Sequence, residues 1–75
     1  MITPQQCLMA RAGLRWSRAE LSKRSGVAQA TIAEFEKGIR QSYPRTLRDL
    51  RRALEAGGVA FTDEGVAIEK AGKNK

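Results

Sequence analysis

The apolar positions of this chain fall at helical spacing for most of its length and then change rhythm. Cys7, Ala10, Arg11 and Leu14 stand at i, i+3, i+4 and i+7, which defines one helix face with an arginine as its odd member. Thr3 is placed to cap that helix. Pro4 suits its first position, where a missing N–H costs nothing, and Gln6 completes a capping box. A second helix is predicted from Arg18 to Ser25, with Ser17 and Glu20 as a second capping box and Gly26 as its stop. Val27, Ile32 and Phe35 set the rhythm of a third helix, predicted from Ala28 to Lys37 and ended by Gly38. Leu47, Leu50 and Leu54 define a fourth, opened by Pro44 and terminated by Gly57 and Gly58. Beyond it the apolar runs shorten to Val59-Ala60-Phe61 and Val66-Ala67-Ile68, with a glycine-containing turn between them, the pattern of a β-hairpin.

The two middle helices organise the rest. Residues 17–38 read SRAELSKRSGVAQATIAEFEKG. With so few residues between them the helices cannot lie antiparallel and must cross steeply, as in a helix-turn-helix unit. Ser22 is small enough to let the second helix approach. Gly26 makes the turn, Val27 plugs the angle, and Ile32 and Phe35 pack back on Leu21. The run Leu21, Ser22, three variable residues, Gly26-Val27, followed by Thr31-Ile32, Phe35-Glu36 and Gly38, resembles the helix-turn-helix of the Cro and phage-repressor family, the XRE-type regulators. The likeness extends over roughly residues 4–56.

That resemblance implies a mostly α fold: a four-helix repressor-like DNA-binding domain, here followed by a short hairpin where many relatives place a fifth helix. It implies that the second helix of the motif enters the major groove of double-stranded DNA. Ala28, Gln29, Ala30, Ala33 and Glu34 then map to base readout. Gln29 is the leading candidate, because glutamine pairs bidentately with adenine. Ala30 suits a thymine methyl, and Glu34 either accepts from a cytosine amino group or is a solvated charge. Ser17, Arg18, Thr31, Lys37, Arg40 and Arg45 map to phosphate contacts, and Arg11 is expected to pair with Glu36 as a structural ion pair. A module this small reads few base pairs, so specific binding implies a homodimer on an inverted repeat.

Charge agrees with a polyanionic partner. The net charge is +6, all of it within residues 1–56, while residues 57–75 are balanced. Chemistry of other kinds finds no footing. There is one cysteine and no histidine, so neither a disulfide within the chain nor a zinc cluster is expected. Cys7, on an apolar face, reads as a small buried hydrophobe. Without a histidine, a phosphate-binding glycine loop or a nucleophile beside a base, no enzymatic activity, cofactor or small-molecule ligand is expected. No apolar run approaches a membrane span, and the first residues lack a secretory layout, so the expected location is the cytoplasm of a bacterium. The division expected is a helix-turn-helix domain over residues 1–57, a hairpin extension over 58–70 and a disordered tail over 71–75. The hairpin either joins two subunits or folds on its own domain. It also sustains an alternative function, an antitoxin-like or adaptor protein that grips a protein partner.

Overall fold

The computed structural model describes residues 2–63 and 65–69. The elements run α1 (Pro4–Leu14), α2 (Arg18–Ser25), α3 (Gln29–Glu36), α4 (Pro44–Ala56), β1 (Val59–Phe61) and β2 (Val66–Ile68). The protein is therefore mostly helical with one short antiparallel hairpin. The tail expected to be disordered, residues 71–75, lies outside the described residues.

Each helix start follows from its local sequence. At α1 the Thr3 hydroxyl accepts from Gln6 N at 3.1 Å and the Thr3 N–H donates to Gln6 Oε1 at 3.0 Å, a reciprocal box. At α2 only half of the expected box forms. Ser17 Oγ accepts from Glu20 N at 3.0 Å, but the Glu20 carboxylate turns to Arg24, four residues along the same helix. An i,i+4 ion pair with arginine competes successfully for it. Helix α3 is one residue shorter at each end than predicted. Ala28 has extended dihedrals (φ −61°, ψ 144°) and caps the helix without a side-chain bond, and Lys37 is its C-cap. Gly26 sits at φ 81°, the left-handed conformation that a tight turn between α2 and α3 demands.

The core gathers around the predicted wedge. Leu21, Ile32, Leu50 and Leu54 are wholly buried, with Val27 and Phe35 closing over them. Ile2, ahead of the first helix, is also buried. Trp16 is half-buried: the Arg24 guanidinium of α2 lies over its ring, 4.3 Å from the centroid. Its edge meets Gly57 so closely that an added methyl would lie 2.6 Å from Cη2, so the residue that caps α4 must lack a side chain.

The hairpin folds back on its own helices. Its register pairs Val59 with Ile68, Ala60 with Ala67 and Phe61 with Val66. Val59 reaches the core, and Ile68 crosses α1 directly over Gly13. The Gln6 amide, almost completely buried, donates to Thr62 O at 2.8 Å and to Gly65 O at 3.0 Å, clasping the turn from beneath. A lone two-stranded ribbon is marginal in water, so these anchors carry it.

Candidate nucleic-acid interface

Helix α3 divides sharply between inside and outside. Ile32, Phe35 and Glu36 are buried, whereas Ala28, Gln29 and Ala30 are exposed at its start. Thr31, Ala33 and Glu34 lie half-buried along the flanks. None of Ala28, Gln29 and Ala30 makes a side-chain hydrogen bond among the described residues, so their outer surface is uncommitted.

Cations and hydroxyls border this surface. Thr31 and Arg45 share a cleft between the starts of α3 and α4, together with Ala28, Tyr43 and Thr46. A neighbouring cleft places Thr31 beside Arg40, Gln41 and Ser42. Lys37, Arg40 and Arg45 are all exposed. Arg40 is not wholly free, because its Nη1 lies 3.3 Å from Glu34 Oε1, so two residues assigned to separate duties neutralise each other in part. Ser17 is exposed at the start of α2. Arg24 and Arg51, by contrast, are engaged elsewhere, Arg24 on Trp16 and Glu20, Arg51 on Glu55 and Phe61. Tyr43 joins this surface without having been singled out from the sequence. It is 81% exposed and stands at the N-cap of α4, a place where serine, threonine or aspartate is usual. An aromatic residue where a capping side chain belongs was the signal available.

Behind α3 lies a buried polar cluster. The Glu36 carboxylate has no exposure, yet it carries a charge. Arg11 holds it through two parallel bonds, Nε to Oε2 at 2.7 Å and Nη2 to Oε1 at 2.8 Å. The third Arg11 donor, Nη1, reaches Trp16 O at 3.0 Å. Arg18 adds Nε to Oε1 at 2.9 Å, and the Cys7 thiol donates to Oε2 at 3.1 Å. Burial alone would raise the pKa of Glu36, but the bonds from Arg11, Cys7 and Arg18 outweigh it and hold the carboxyl below its usual range. The same carboxylate raises the Arg11 pKa through its hydrogen bond. Burial first, and then the bond to Glu36, push the Cys7 thiol far up, so it stays a protonated donor. Cys7 is thus buried as expected, but as a polar member of the cluster. Arg18 also differs from a simple surface cation, since its Nε is turned inward.

Among the described residues, no cluster of histidine, cysteine, aspartate or glutamate could hold a metal, and no helix is long and apolar enough to cross a membrane.

Two eight-residue helices joined through a left-handed glycine, with the second exposing its first turn, define a helix-turn-helix protein. A family pattern described as helix-turn-helix matches residues 9–58, and the chain belongs to that family, the Cro and phage-repressor or XRE-type group of DNA-binding regulators. The match stops short of β1. No individually curated protein matches the sequence.

Proposed function

We infer that the protein is a sequence-specific transcriptional regulator that binds an inverted-repeat operator as a homodimer, with α3 in the major groove. One observation carries this: the open first turn of α3, Ala28 to Ala30, with Thr31, Arg40 and Arg45 lining the clefts beside it and Lys37 exposed at the far end of the helix. In this docking Gln29 reads a base edge, Ala30, Ala33 and Glu34 meet neighbouring edges, and the hydroxyls and cations grip phosphate. Tyr43 adds a phenolic O–H to the phosphate side. Two copies would read half-sites about 34 Å apart on one face of the duplex.

A second function draws on the hairpin. Among the described residues the sheet has two strands, so the outer edge of β2 has no strand partner there, and Leu8, Met9 and Ile68 are exposed on α1 and β2. An edge of this kind suits strand addition, by a second copy in the dimer or by a different protein in an adaptor role. Selection of bound sequences from a random duplex pool, with light scattering on the same sample, separates the two. A palindromic consensus and a dimer support the regulator. Recovery of no consensus sinks it.

A further inference from the structure

We propose that Glu36, besides tying α1 to α3, positions Arg18 as a phosphate clamp. Its carboxylate anchors Arg18 at Nε, and the two amino groups of the same guanidinium are presented to the DNA backbone at the start of α2. The inference rests on the DNA-binding function above and adds a positioning residue to it.

The cluster has unequal arginines. Arg11 is the more committed: each of its three nitrogens donates, two to Glu36 and one to Trp16 O, and its side chain is 14% exposed. Arg18 spends one donor, Nε, and its side chain remains 35% exposed. One carboxylate faces two guanidiniums, so the cluster keeps one positive charge, and that charge opens to solvent mainly through Arg18. Arg18 is the first residue of α2, next to Ser17 and to free backbone N–H groups that favour an anion.

A guanidinium is a rigid planar fork with five N–H donors. Fixing Nε fixes the direction of both amino groups. A surface arginine loses rotamer freedom when it binds phosphate, whereas Arg18 has lost that freedom already on folding. Lysine cannot substitute. Its donors meet at one nitrogen, so carboxylate and phosphate, both negative, would have to converge on the same atom.

The test uses the full chain and a mixed-sequence duplex, with affinity followed by fluorescence anisotropy across a salt series. R18K is expected to weaken binding about ten-fold and to flatten the slope of log affinity against log salt by about 0.9, as R18A does, because one phosphate contact is lost in each. R18K binding like the wild type overturns the inference. R45A and K37A report on the underlying function: if they flatten the slope while R18K does not, DNA binding stands and the clamp falls. Absence of any salt-dependent binding removes both. E36Q is expected to reproduce the R18K slope, and because removing a buried charge also strains folding, nuclear magnetic resonance of the wild type gives an independent readout. The Arg18 Nε–H signal should be protected from exchange in the free protein and stay protected when duplex is added. Loss of that protection on binding means that Arg18 releases Glu36, which overturns positioning.

Discussion

Two polar side chains on the inner side of α1 hold neighbouring pieces of the chain in opposite ways. Arg11 grips α3 through a buried charge, and Gln6 grips the hairpin through neutral bonds to backbone carbonyls. The charged seam is over-supplied, with four donors on the two oxygens of Glu36. The neutral seam has one amide group, whose loss nothing else replaces. The first fixes where the wedge of α2 and α3 sits against α1. The second helps to hold the hairpin down, beside Val59 in the core and Ile68 over Gly13. Specificity of arrangement and attachment of an extension are thus served by different chemistry, and each can be broken separately.

The largest effect is expected at Glu36. Replacing it with alanine leaves Arg11 and Arg18 facing each other with no counter-ion, and loss of one partner of a buried pair costs about 3–5 kcal/mol. A domain of this size has roughly 4–11 kcal/mol in all, so Glu36→Ala should unfold at far lower urea. A midpoint within error of the wild type would show that the seam contributes nothing net.

Acid opens the same seam without a mutation. The folded carboxyl titrates below its ordinary value of 4.5, so its stabilisation is complete above that pH. The contribution is lost as pH falls through the depressed folded value. Urea midpoints should therefore hold from neutral pH to about 5 and decline below. The decline should be shallower in Glu36→Gln, which has no proton to take up. Equal acid limbs in the two proteins would assign the titration to other carboxylates.

Gln6→Ala comes next, at about 1–2 kcal/mol, since it strips Thr62 O of a partner and halves the capping box at Thr3. The loss should be local. Hydrogen exchange should rise in β1 and β2 while α2 and α3 keep their protection. Uniform loss of protection would mean that the hairpin and the helices unfold as one unit.

The contrast between the seams also explains what was legible in the sequence. The helix-turn-helix was readable because it is written in side-chain types at fixed spacing: Leu21, Gly26, Val27, Ile32 and Phe35 each have a steric duty that few residues can perform. The Arg11–Glu36 pair came only with the family likeness, since nothing in spacing alone says that an arginine on an apolar face meets a glutamate twenty-five residues on. Gln6 could be seen as a helix cap but not as a clasp. Its second role depends on Thr62 O and Gly65 O, and a backbone carbonyl leaves no mark in a sequence. Arg18 was assigned to phosphate from its place at a helix start, and its inward bond to Glu36 was not anticipated. Long arginine side chains choose among several partners within reach, and only the folded geometry decides. Tyr43 sits in a turn, where backbone habit dominates the sequence signal and says little of what a side chain exposes.

The smallest effect should be at Cys7, and it measures how redundant the charged seam is. The thiol is the weakest of the four donors on Glu36, and both carboxylate oxygens keep an arginine when it is removed. Cys7→Ala should cost about 1 kcal/mol, the sum of a weak bond and a small cavity in a fully buried place. Cys7→Ser keeps a donor and makes it stronger, so it should be less destabilising than alanine if the bond to Oε2 matters. The comparison turns on rank rather than size. Serine above alanine in urea midpoint means that the site behaves as part of a polar network. Serine below alanine means that the pocket treats position 7 as an apolar slot and that the hydroxyl is stranded there. In that event the seam is a salt bridge of two arginines, and Cys7 merely lies beside it.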